Sequence, residues 1–212
     1  MPRAPGNWRR TIRIARTQVR TGEIEAAIAA LLPALRWRYD TARNQAVELL
    51  ASTKGHAEEP LLRVLRSAET AVERRSAADA LGLLDSQRAV PTLMHALEDP
   101  NMVVRRSASL ALLRLRAIEA VPRIVRLLRD ESGGVRVLAA GVLGRFGDPK
   151  AVPALVRALR DEKWYVRQAA ADALAELRDP RAVAALTRAL RDRRPAVANA
   201  ARRALAACSG SG

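Results

Sequence analysis

The chain has 212 residues, 49% of them apolar, 28% charged and only 3% aromatic, with a formal net charge of +15. That is length and apolar content enough to bury a core without disulfides or metal, and the single cysteine, Cys208, excludes an intramolecular disulfide. No run approaches the ~18 apolar residues of a membrane span, so the expected location is cytoplasmic, and the dominance of Ala, Leu and Arg predicts an all-α fold with a core of small aliphatic side chains.

Residues 1–22 contain six arginines and no acid. Within them Arg9, Arg10, Arg13, Arg16 and Arg20 alternate with Trp8, Ile12, Ala15 and Val19, which predicts a helix with a basic face opposite an apolar one. Such a helix can cap the open end of a stacked fold, hold phosphates, or rest on an anionic membrane surface. Transit peptides share the composition.

From residue 23 the chain repeats itself. Pro60, Pro91, Pro122 and Pro153 are spaced 31 residues apart, and the same period carries Leu50, Leu81, Leu112, Leu143, Leu174 and Leu205, and Arg43, Arg74, Arg105, Arg136 and Arg167. Within one unit Val152, Leu155 and Leu159 mark a first amphipathic helix, and Val166, Ala170, Ala173, Leu174 and Leu177 a second. Proline suits the first turn of a helix, where its missing N–H has no intrahelical acceptor. Turn-forming residues lie between the two helices at Asp99–Asn101, Asp130–Gly134 and Asp192–Pro195, so each pair folds back on itself. The units fall at about 23–56, 57–88, 89–119, 120–150, 151–181 and 182–208, followed by a flexible tail at 209–212. A lone pair would expose its apolar flanks, so the units are stable only when stacked.

The segment Ala-Val-Pro-Ala-Leu-Val-Arg-Ala-Leu-Arg-Asp followed by Tyr-Val-Arg-Gln-Ala-Ala-Ala-Asp-Ala-Leu at 151–174 resembles the short HEAT repeat, in the variety named after phycobilisome lyases. The resemblance covers roughly 57–208 and implies a right-handed α-α superhelix, a solenoid of about six helix pairs. Members of that family act as scaffolds, as bilin-lyase subunits and as nucleic-acid binders, so the fold alone does not choose among these. It also implies a structural ladder, in which Asp99, Asp130 and Asp161 pair with Arg105, Arg136 and Arg167 six residues later. On that reading the ladder lapses where Ala68 precedes Arg74 and where Asp192 precedes Ala198, leaving looser ends.

Exposed positions of the second helices should line the concave, partner-binding face: Arg75 and Asp79, Arg106 and Leu110, Val137 and Gly141, Gln168 and Asp172, Asn199 and Arg203. Around Leu110, Leu113 and Val137 this face is apolar where the periodic core does not require it, and contiguous apolar surface marks binding sites. The arginine pairs Arg126 and Arg129, Arg157 and Arg160, and Arg188 and Arg191 form a basic stripe on the first helices, on the convex side. Arg9 to Arg20 are the candidate anion-binding residues.

Catalysis is not expected. His56 and His95 are the only histidines and neither precedes Glu, so no metal site is expected; there is no Cys-x-x-Cys, no Gly-rich phosphate loop and no Ser, His and acid set. No cofactor or small-molecule substrate is expected. The partner reading is a protein, a second copy of this chain being the simplest case. Nucleic acid held through the basic ends and bilin or carrier handling are the alternatives, with a membrane surface behind them.

Overall fold

The computed structural model describes residues 7–37 and 39–209; the expectation of a flexible tail lies, past Ser209, outside the described residues. Among the described residues there are thirteen α-helices and no strand. They are α1 (Trp8–Thr21), α2 (Ile24–Leu31), α3 (Asp40–Ala51), α4 (Glu58–Ser67), α5 (Ala71–Leu83), α6 (Val90–Ala96), α7 (Met102–Arg114), α8 (Val121–Leu127), α9 (Gly133–Phe146), α10 (Val152–Ala158), α11 (Trp164–Leu177), α12 (Val183–Ala189) and α13 (Pro195–Ser209). After α1 they form six pairs, α2 with α3 through α12 with α13. None is long and apolar enough to cross a membrane.

The chain divides into two compact units, one ending at Leu115 and the other beginning at Arg116. In the first, the second helices α3, α5 and α7 stack in succession, and α1 packs on α2 and α3. Ile12 and Ala15 of α1 are buried there, while Arg9, Arg10, Arg13, Arg16 and Arg20 are all exposed. In the second unit α9, α11 and α13 stack in the same way, with α8, α10 and α12 as the first helices of their pairs. The leucine lattice is the core: Leu50, Leu81, Leu112, Leu143 and Leu174 are fully buried, as are Val104, Val135 and Val166.

The first helices α6, α8, α10 and α12 have seven residues each, and each is entered through a single 3-10 turn, at Gln87–Ala89, Ile118–Ala120, Pro149–Ala151 and Pro180–Ala182. Pro91, Pro122 and Pro153 follow at the second helical position, where no N–H is needed. Just before this turn sits a residue with left-handed backbone. Lys54, Asp85, Arg116, Gly147 and Arg178 all have positive φ and lie on the 31-residue lattice, yet only one of them is glycine.

The polar ladder differs from the sequence expectation. Each lattice arginine donates from Nη1 to the backbone carbonyl six residues earlier: Arg43 to Trp37 at 2.7 Å, Arg74 to Ala68 at 2.8 Å, Arg105 to Asp99 at 2.9 Å, Arg136 to Asp130 at 2.9 Å and Arg167 to Asp161 at 2.8 Å. These carbonyls lie at the ends of first helices, where helical acceptors run out of intrahelical donors. The carboxylates instead reach the arginine of the preceding repeat, 25 residues back. Arg74 pairs with Asp99 (2.7 and 3.0 Å), Arg136 with Asp161 (2.8 and 3.0 Å) and Arg167 with Asp192 (2.6 and 2.9 Å). The same carboxylates accept the backbone N–H two residues on and so close the turn between the paired helices.

Neither expected lapse therefore occurs: Arg74 is served by Asp99, and Asp192 serves Arg167. The gap falls at Arg43, for which the residue 25 positions on is Ala68. Arg43 turns to Asp40 of its own helix and is almost wholly buried. Burial, with the like charge of Arg75, pulls its pKa below the ordinary arginine value.

Candidate interaction surface

In the first unit the outward row of second-helix residues is carried by α5 and α7. Arg75 and Asp79 on α5 are half-buried and lie 3.6 Å apart, an i, i+4 pair. Burial raises the Asp79 pKa, opposed by a hydrogen bond from the Ser107 hydroxyl on α7 and by the charge of Arg75. On α7 Arg106, Leu110 and Leu113 follow at helical spacing, with Arg106 exposed and both leucines half-buried.

Neither leucine is fully exposed. Leu113 stands at the lattice position of Gly82 and Gly144, and these two glycines lie in the seams between successive second helices. A Cβ on Gly82 would stand 2.8 Å from the Ala111 backbone, and one on Gly144 3.0 Å from Ala173 Cα. Leu113 is itself half-buried. Leu110 stands instead at the outward position, shared with Asp79, Gly141, Asp172 and Arg203.

In the second unit the corresponding row is Val137 and Gly141 on α9, Gln168 and Asp172 on α11, and Asn199 and Arg203 on α13. Val137 and Gln168 are half-buried, while Gly141 is exposed with open space above it. Arg203 donates to Asp172 at 2.8 Å across neighbouring repeats. Two of the sequence-selected charge sets, Arg75 with Asp79 and Asp172 with Arg203, therefore satisfy each other. The exposed Arg203–Asp172 pair contributes ~0–1 kcal/mol.

The first helices of the second unit carry the other polar surface. A groove of about 580 Å³ between α8 and α10 is lined by Arg126, Arg129, Arg157 and Arg160 over Ala154 and Ala158, and one of about 180 Å³ between α10 and α12 by Arg160, Arg188 and Arg191. At the adjoining turn, Trp164 and Tyr165 open α11 and are both more than a third exposed, their rings edge to face at 5.8 Å. The Arg194 guanidinium lies over Trp164, 6.0 Å from the ring centre. Tyr165 rests against Gly133, where a Cβ would stand 2.6 Å from the tyrosine oxygen. Sequence reasoning noted the arginine stripe but passed over the aromatic pair, although two adjacent rings after a turn stand out in a chain with 3% aromatics. Among the described residues no group of three or more His, Cys, Asp or Glu side chains is placed to hold a metal ion.

Solved structures share the fold at low identity. An engineered protein superposes with a TM-score of 0.59 at 22% identity, over 87% of this chain and 97% of its own. A designed armadillo repeat protein in complex with the peptide (KR)4 gives 0.61 at 18% identity, over 84% and 98%. The complex of CpcE and CpcF of phycocyanin lyase from Nostoc sp. PCC7120 gives 0.50 at 19%, over 95% and 88%. No curated protein matches the chain. The family model of HEAT repeats matches residues 58–136 and 121–206, which with the stacked helix pairs, the buried leucine lattice and the arginine ladder establishes that the chain belongs to the HEAT-repeat family.

Proposed function

We propose that the chain is a non-catalytic scaffold that docks a protein segment on the outward row of its second helices, centred in the first unit on Leu110 and Arg106. The supporting observation is the residue at the outward lattice position: a charged residue or glycine in the other second helices, it is leucine at 110. Such a residue adds little to the stack and gains stability when a partner covers it. Arg106 lies one helical turn away and is exposed, Arg75 stands at its lattice equivalent on α5, and the net charge is +15. An apolar anchor with acidic flanks complements that surface, the flanks serving orientation and on-rate more than affinity. A designed protein of this fold is known with a basic peptide; the charge here favours the opposite sign. In this reading α1 caps the first pair, and the row Val137, Gly141, Gln168, Asp172 and Arg203 is a secondary surface of the second unit.

Selection of displayed random peptides against the whole chain tests the reading. Enriched peptides are expected to carry one apolar residue between acids and to lose at least tenfold in affinity, about 1.4 kcal/mol, against Leu110→Glu at unchanged helicity. Peptides that bind Leu110→Glu as well as the parent would remove the site. Loss of helicity in that variant would place Leu110 in the core.

A further inference from the structure

We propose that the turn edge of the second unit binds single-stranded nucleic acid, with its first-helix arginines on the phosphates and Trp164 and Tyr165 stacking on bases. Five arginines, Arg129, Arg157, Arg160, Arg188 and Arg191, are exposed and form no ion pair among the described residues. Asp161 and Asp192, which line the same grooves, pair with Arg136 and Arg167. The ladder that holds the repeats together thus engages these two aspartates and leaves the five arginines without an ion pair among the described residues.

The geometry suits a chain of phosphates. Arg160 borders both grooves, so the two form one track across α8, α10 and α12, and the small Ala154, Ala158, Ala185 and Ala189 along it let a phosphodiester come close. At the end of the same turn as Arg160 stand the two exposed rings, one seated against Gly133 and the other beneath Arg194. A basic track beside partly exposed aromatic rings is the composition that holds single strands without base-specific hydrogen bonds. Duplex bases are already stacked and would leave the rings unused. An acidic protein segment would use the arginines, but half-exposed rings on a turn provide no pocket for an apolar anchor.

Fluorescence anisotropy of the whole chain with a labelled oligothymidylate of about 20 nucleotides tests this, a length that exceeds common single-strand site sizes. Binding should weaken steeply between about 50 and 200 mM salt, by about 0.7 in log K per log salt for each neutralised phosphate. Arg160→Glu with Arg191→Glu should abolish binding. Trp164→Ala should weaken it about tenfold without changing the salt slope, and Trp164→Phe should restore most of the loss, because stacking contributes affinity independent of counterion release. Circular dichroism on each variant separates these effects from unfolding. Three results would overturn the proposal: no binding at low salt; equal affinity for a duplex of the same length together with indifference to Trp164→Ala; or displacement of the oligonucleotide by an equimolar acidic peptide that binds the parent more tightly.

Discussion

At the level of single residues, the repeats are joined by an arginine that serves two neighbours at once. Its Nη1 satisfies the end of its own first helix, and its remaining donors grip the aspartate 25 residues on, so removing the side chain leaves both a helix end and a partly buried carboxylate unsatisfied. The hydrogen bonds from Arg167 hold the Asp192 carboxyl below its ordinary pKa of 3.8 against the opposing effect of burial. Burial pushes Asp99 upward, but the hydrogen bonds from Arg74 and the Asn101 N–H, with the charges of Arg74 and Arg105, outweigh it and leave Asp99 low as well. A carboxylate with a depressed folded-state pKa binds fewer protons than its unfolded counterpart. Its stabilising effect is complete above the ordinary value and is lost as pH falls through the folded one. The melting temperature should therefore hold steady from neutrality down to the ordinary carboxylate range and fall below it, and Arg167→Ala should lower the neutral-pH value and flatten that acid limb. An unaltered acid limb in Arg167→Ala would show that the pair does not govern it.

A second residue-level prediction concerns the left-handed lattice position. Arg116 and Arg178 have φ of 53° and 51°, a conformation that costs about 1–2 kcal/mol for residues with a Cβ, whereas Gly147 adopts it freely at 71°. Arg116→Gly and Arg178→Gly should each stabilise the fold by about 0.5–1 kcal/mol in urea titration, despite the usual penalty of glycine for the unfolded chain. Destabilisation by both would mean that the arginine side chains contribute more than the backbone strain removes.

Between elements, the spacing of second helices is set by small residues, and two helical glycines should respond oppositely to the same change. Gly82 faces the Ala111 backbone at a distance no real Cβ tolerates, so Gly82→Ala must push α5 from α7 and should destabilise by about 1–3 kcal/mol. Gly141 lies inside α9 with nothing near its missing Cβ, and Gly141→Ala should stabilise by about 0.5–1 kcal/mol through helix propensity alone. Urea midpoints of the two variants moving in the same direction would contradict this packing. Helix α1 shows the complementary case, in which alternation alone located the buried face. Ile12 and Ala15 are covered by the first pair and the arginines are left in water, because an amphipathic helix has one way of burying its apolar stripe.

Over the whole molecule, stability comes from neighbour-to-neighbour stacking, so a block of adjacent pairs should survive excision. Residues 116–212 contain three complete pairs with their own buried leucines. Expressed alone they should keep a helical circular-dichroism spectrum and a sigmoidal thermal transition, at a lower midpoint than the full chain. A linear, non-cooperative melt would show that three pairs are too few.

The sequence by itself determined the all-helical repeat, its period, the helix pairs, the buried leucine and valine lattice and the exposed face of α1. Those features follow from periodicity, and a 31-residue period carrying two 3.6-residue stripes admits few other folds. It left open which residues meet across the seams. The family resemblance pairs each aspartate with the arginine six residues on; that arginine takes the aspartate's backbone carbonyl, while stacking brings the preceding repeat's arginine, 25 residues back, to the carboxylate. The left-handed turns at Asp85, Arg116 and Arg178 carry no glycine to announce them. Only the tertiary structure decided these points, because the pairings depend on distances between chain segments a repeat apart and the turns on backbone angles that these residue types do not announce.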